Sequence, residues 1–210
     1  MKIDNSIKRC AIIGNSPYLL YNDYGSEIDE YEVVFRCNAA ITQGFEKYVG
    51  SKTDYRLVNI HVCNWLSKLG VQSHEAHLKN LDPGKVITDK QIVVCKDYKL
   101  KQDDDFGKRY KNLEWSVKKH YGVDCESYYM PKQALRQRNI WSHVSTGTYA
   151  TALASMLFPS AEISCYGFSF YENLKEECHY FEVLENKKLC HDFKRDKEEF
   201  AKIPKTRVVK

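Results

Sequence analysis

Five short apolar runs punctuate the chain: CAIIG (10–14), EVVFR (32–36), YRLVN (55–59), QIVVC (91–95) and AEISCYGF (161–168). Runs of roughly four to eight residues rich in Val and Ile suit strands covered on both faces. Helix-like segments lie between them, and a parallel sheet needs such crossovers to return each strand to its starting edge. The pattern predicts α/β: a single Rossmann-like, doubly wound, mostly parallel sheet over residues 1–210. In such sheets ligands bind at the carboxyl ends of the strands. GNSP after the first run, CN after VVFR, and Asn59 all fall there.

At 210 residues the chain can form one sizeable core, burying roughly 70% of its unfolded surface. No internal repeat, linker or second domain is visible. Lys+Arg exceeds Asp+Glu by 32 − 28 = 4, too small a surplus to argue for nucleic acid, though it admits anionic substrates or peripheral contact with a membrane. No apolar stretch reaches the ~18 residues of a membrane span. The N-terminus has the charges of a signal peptide without its apolar middle. The eight cysteines include no C-x-x-C, and several sit inside apolar runs, where Cys is a small buried hydrophobe. No N-x-[ST] sequon with a permitted middle residue occurs. These features predict a reduced, cytoplasmic protein, with a catalytic fragment of a longer precursor as the alternative.

The stretch 96–139 is dense in charge and Tyr, with one amphipathic helix predicted around 107–121. It reads as a surface excursion or lid that shapes an acceptor pocket. The tail spaces Phe193, Phe200 and Ile203 as one helix face.

Three groups of residues could carry chemistry. Gly14 permits a close turn, and Asn15, Asn38 and Asn59 place three amides at three strand ends, where they could frame a ribose, a base edge or a phosphate. Asn also favours turns for its own sake. In HVSTGTYATALASMLF (143–158), Ser145 or Thr146 can cap a helix and Gly147 admits close approach. The N–H groups at such a terminus form an anion site, suited here to one phosphodiester, because no G-x-x-x-x-G-K-[ST] is present. Lastly, HYFE (179–182) and CHDF (190–193) each set a His near an acidic residue, and an imidazole is the natural base for a hydroxyl. Asp103-Asp104-Asp105 has the D-x-D spacing of metal-dependent glycosyltransferases but lies in a hydrophilic run and reads as a solvated turn. Ser145 with a His suggests a hydrolase, yet no G-x-S-x-G elbow occurs.

In order, these segments resemble the sialyltransferases of the animal type, and less closely the small bacterial ones. Residues 10–59 resemble the family's large sialylmotif, with Gly-Asn, I-D, R-x-N and G-F-E-x-x-V-G-S-K-T in register. Residues 144–168 resemble the small sialylmotif, HYFE the third motif, and His191 falls at the His of the very small motif. Together the matches span about half the chain.

The resemblance implies a metal-independent, inverting transfer of sialic acid from CMP-sialic acid to a sugar hydroxyl of a glycan acceptor, with no cofactor. It also implies a variant of the glycosyltransferase A architecture. By position, Asn15, Asn38 and Asn59 would bind the CMP moiety. Ser145, Thr146, Gly147 and Gly167 would complete the donor site. His179 and Tyr180 would steady the leaving phosphate, and His191 would be the general base. Two departures stand out: Ser160 occupies the place of the cysteine that pairs with Cys10 in the animal enzymes, and Asp196 stands where the very small motif has Glu. The first weakens the Golgi expectation; the second puts a hydrogen bond to the site in question. A CMP-Kdo transferase, or a relative that binds nucleotide or glycan without turnover, remains open.

Overall fold

The computed structural model describes residues 1–67, 78, 81–87, 91–96, 104–130, 133–136, 139–141, 143–170, 179–181 and 192–209. Its strands are β1 (Arg9–Ile13), β2 (Val33–Cys37), β3 (Tyr55–Val58), β4 (Gln91–Lys96), β5 (Cys125–Met130), β6 (Glu162–Tyr166) and β7 (Thr206–Val209). Its helices are α1 (Gly25–Asp29), α2 (Glu46–Val49), α3 (Ile60–Leu66), α4 (Asp104–Tyr121), α5 (Gln133–Arg136), α6 (Thr146–Leu157) and α7 (Phe193–Phe200). All five apolar runs are strands, as their composition predicts.

The strands form one sheet in the order β5-β4-β3-β2-β1-β6-β7, and every neighbouring pair is parallel. Both faces are covered. Cys10 and Ile12 of β1 face the core under α6, while Ala11 and Ile13 face the opposite layer with Leu19, Ile28 and Val34. A strand buried on both sides has no use for polar alternation, which is why β1 reads CAII. Helix α6 is apolar nearly all round because it lies between the sheet and α7, packing on β1, β2, β3 and β6.

The stretch 96–139, expected to be an excursion or lid, is largely part of the fold. Helix α4 includes the predicted 107–121, and its Leu113 and Val117 are buried with Val93 and Cys95 of β4. Strand β5 then adds to the sheet edge in register with β4. Its sequence, CESYYM, escapes a search for apolar runs because an edge strand tolerates polar residues. Strand β7 escapes for the same reason: TRVV is short and half-exposed at the other edge. Among the described residues, no helix is long and apolar enough to cross a membrane. The six described cysteines are buried free thiols, as expected of small hydrophobes; Cys178 and Cys190 lie outside the described residues.

Candidate functional site

The chain steps outward from β1 through β2, β3 and β4 to β5, then crosses back to lay β6 against the other side of β1, so the β1/β6 boundary is the switch point of the sheet. Two glycines shape the crevice at its carboxyl end. Gly14 N–H donates to the Tyr166 carbonyl at 2.8 Å, and a Cβ on Gly14 would stand 2.6 Å from the Gly167 carbonyl oxygen. Gly167 has φ +70° and would strike Leu19 with any side chain. A cleft opens there, walled by Gly14–Ser16, Cys37 and Asn38, Ser145–Gly147, and Gly167–Phe170, with His179, Phe193 and Asp196 closing it.

The three asparagines divide. Asn15 lines the cleft; its Nδ2 donates to the Cys37 carbonyl at 3.2 Å, and its buried Oδ1 has no hydrogen-bond partner. Such an orphan acceptor costs about 1–3 kcal/mol. Asn38 also lines the cleft, in the left-handed region at φ 53°. Its Oδ1 accepts from Asn59 N–H at 3.0 Å and its Nδ2 donates to Thr146 Oγ1 at 3.4 Å, tying β2 to α3 and α6. Asn59 is different: its Oδ1 accepts from Val62 N–H at 2.9 Å as the N-cap of α3, and its side chain does not line the cleft. Asn59 thus stands behind Asn38 as a helix cap, its backbone N–H bonded to the Asn38 side chain.

The start of α6 lines the cleft at Ser145, Thr146 and Gly147. Ser145 is the N-cap, its Oγ accepting from Thr148 N–H at 3.2 Å. Buried Asp196 of α7 clamps the cap: one carboxylate oxygen accepts from Ser145 N–H at 2.7 Å and the other from Thr148 Oγ1 at 3.1 Å. The hydrogen bond that the shorter side chain put in question is thus made. No hydrogen bond of the described residues takes the N–H groups of Thr146 and Gly147, which face the cleft's wall as helix-terminal donors do. A Cβ on Gly147 would stand 2.9 Å from the Phe168 ring, so that glycine keeps the approach open.

In HYFE, neighbours have opposite fates. His179 lines the cleft, its ring stacked on Phe181 with centroids 5.2 Å apart. Tyr180 is buried; its N–H donates to the Asn15 carbonyl at 2.9 Å and its hydroxyl donates to the Ile41 carbonyl. Burial pushes its phenol up to about 12, with Arg36 and Arg56 pulling the other way. Through these two bonds Tyr180 anchors the Asn15 backbone and holds the neighbouring His179 at the cleft. His191 lies outside the described residues, as does Asp103. Among the described residues no group of three or more His, Cys, Asp or Glu could hold a metal ion.

The sequence reading missed Ser16, Phe168, Phe170 and Phe193. The available signal was position: GFSF continues directly from β6, past the tip of the sheet. Phe168 and Phe170 pack on Phe200, with centroids 5.6 and 5.3 Å away, fastening α7 beside the cleft. Beyond these two rings lies a second cavity of about 410 Å³, walled by Tyr18, Tyr21 and Tyr24 with Lys197 at its edge.

A parallel sheet with helices on both faces and a glycine-framed crevice at its switch point defines a doubly wound α/β protein. Within that class the chain belongs to glycosyltransferase family 29 (sialyltransferase), whose model matches residues 2–208. It is 24% identical over 223 residues to the chicken alpha-N-acetylgalactosaminide alpha-2,6-sialyltransferase 1, covering 96% of this chain and 39% of that protein. It is 51% identical over 51 residues to the human CMP-N-acetylneuraminate-beta-galactosamide-alpha-2,3-sialyltransferase 1, covering 24% of this chain and 15% of the relative. A beta-1,6-galactosyltransferase of Arabidopsis thaliana is 49% identical over 57 residues, which is 26% of this chain and 14% of that protein. The chain thus spans well under half the length of these relatives. A mammalian sialyltransferase crystal structure in complex with Gal-beta-1-3GalNAc-ortho-nitrophenol shares the fold, with a TM-score of 0.59 and 23% identity over 98% of this chain and 70% of that one.

Proposed function

We propose that the protein transfers sialic acid from CMP-sialic acid to a sugar hydroxyl of a glycan, with inversion and without a metal. One observation carries the reading: Asn15, Asn38 and the first turn of α6 at Thr146 and Gly147 line one cleft in a chain of the sialyltransferase family. An amide acceptor suits a ribose hydroxyl or a cytosine amine, and a helix terminus suits a single phosphate.

In this mechanism the acceptor oxygen attacks the anomeric carbon while the bond to the CMP phosphate oxygen breaks on the opposite face. The acceptor proton passes to His191, placed in that role by its motif. The α6 terminus and His179 stabilise the charge that grows on the departing phosphate. Positioning supplies much of the rate, because the cationic sugar carries its own carboxylate. The six described cysteines, all free thiols, support a reducing compartment.

The test is turnover: CMP-sialic acid incubated with galactosides and sialosides, with and without EDTA, and the products weighed. Transfer that survives EDTA supports the reading, and His191→Ala should lower it about a hundredfold or more while CMP still binds. A second donor has support of its own, because a relative 49% identical over 57 residues is a galactosyltransferase. The nucleotide contacts therefore leave the sugar open, and CMP-Kdo belongs in the same assay. CMP binding without transfer from any donor would point to a binding protein that has lost turnover.

A further inference from the structure

Position 56 lies in the middle of a strand whose neighbours Leu57 and Val58 are fully buried, and an apolar residue would serve the sheet there. It is instead an arginine, 1% exposed, paired in register with Arg36 of β2, which is also fully buried. Among the described residues neither guanidinium hydrogen-bonds a carboxylate. Two like charges buried side by side work against folding, so each side chain must do something that an apolar one cannot.

Their partners separate them. Arg36 reaches the Val49 and Lys52 carbonyls and Thr53 Oγ1, which closes the loop entering β3. Arg56 reaches toward the cleft. Its Nη1 donates to the Asn38 carbonyl at 2.8 Å and to the Ala40 carbonyl at 2.9 Å, and its Nε is steadied by Gln91 Oε1 at 2.8 Å. These carbonyls flank the turn in which Asn38 takes its left-handed conformation.

We propose that Arg56 is a positioning residue for the nucleotide: from behind the cleft it grips the turn after β2 and thereby aims the Asn38 amide at α6 and the ligand. The role rests on the reading of the cleft as a CMP-sugar site. A guanidinium whose Nη1 binds two carbonyls while its Nε is held by Gln91 is fixed in plane, which a single ammonium is not. Arg56→Lys keeps the charge and loses the anchored Nε.

Calorimetric titration of the full chain with CMP tests this. Wild type binds, and folded Arg56→Lys binds about tenfold more weakly, the scale on which supporting hydrogen bonds act on a bound group. In an Asn38→Gly background the same change adds almost nothing, because no amide remains to be aimed; a residue that only stabilised the fold would leave the affinity of the folded protein unchanged, and one that shaped the cleft independently of Asn38 would lower it equally in both backgrounds. If Arg56→Lys does not fold, Gln91→Met, which removes the acceptor at Nε, carries the test with a smaller loss of the same sign. Wild-type affinity in the folded variant, or full additivity with Asn38→Gly, overturns the inference while leaving the donor reading intact. Failure of wild type to bind CMP overturns the donor reading and this inference with it.

Discussion

Strands β2 and β3 lie side by side, and each ends in an asparagine at the same edge of the sheet. Asn38 enters a left-handed turn and faces the cleft. Asn59 enters a helix and caps it. The residue type and the strand before it are alike; the path of the chain afterwards is not. Both amides make bonds within the protein, but the path of the chain leaves Asn38 on the wall of the cleft and Asn59 behind it. HYFE repeats the point at closer range, for His179 faces the cleft and Tyr180 turns into the core.

Four measurements press on this contrast between groups given to the ligand and groups consumed by the fold. The heaviest is Gly14→Ala. Its Cβ would stand 2.6 Å from a backbone oxygen of the neighbouring strand end, which cannot rotate away. Urea unfolding should show a loss of about 1–3 kcal/mol, and CMP binding should vanish with the crevice.

Next come the paired asparagines. Asn38→Gly keeps the positive φ and deletes only the amide, so CMP affinity should fall about tenfold with a small change in stability. Asn59→Ala should do the reverse: about 1 kcal/mol of stability lost with the cap, and CMP affinity within twofold of wild type. A large binding loss in the second variant would erase the distinction between the two tips.

Smaller again is the Tyr180→Phe change. It leaves the Ile41 carbonyl without its donor and should cost about 1 kcal/mol of stability, with transfer nearly unchanged. His179→Ala should spare the melting temperature and slow transfer.

The smallest effect per group is the pH dependence. Burial pushes the Cys37 and Cys165 thiols up to about 12 and that of Cys125 up to about 11. Below the ordinary thiol value, ~8.5, both states are protonated and this contribution is complete. Above it the unfolded thiols ionise first, so stability is lost as pH climbs through the folded values. Arg56 runs the other way: burial, then the charge of Arg36, holds it down to about 9, and its penalty lifts above that pH. Tyr180 and Tyr121, both pushed up to about 12 by burial, side with the thiols. The melting temperature should therefore be lower at pH 10 than at pH 8, and a flat or rising profile would show that these groups are not buried as described.

Much of the fold could be read from the chain. The strands covered on both faces announce themselves as unbroken apolar runs, because burial on two sides leaves no room for alternation. Strands β5 and β7 lie at the edges, where exposure relaxes that demand, and they were not legible. At the site, Gly14, Asn15, Asn38 and the Ser145–Gly147 cap were legible, since turns and caps demand particular residue types. Phe168, Phe170 and Phe193 were not, because a ring that walls a cleft looks like any core residue until its neighbours are known. The run of 96–139 misled, because charge on the outer face of α4 masked an inner face that packs on β4.

By itself the sequence determined a parallel sheet, the place where its strands end, and the residues able to turn or cap there, all of which follow from local backbone chemistry. Only the tertiary structure decided which of those groups remain unclaimed. An amide, a phenol or a guanidinium spends its hydrogen bonds on whatever is nearest, and nearness across 22 residues, from Asn15 to Cys37, or 51, from Ser145 to Asp196, exists only once the chain has folded.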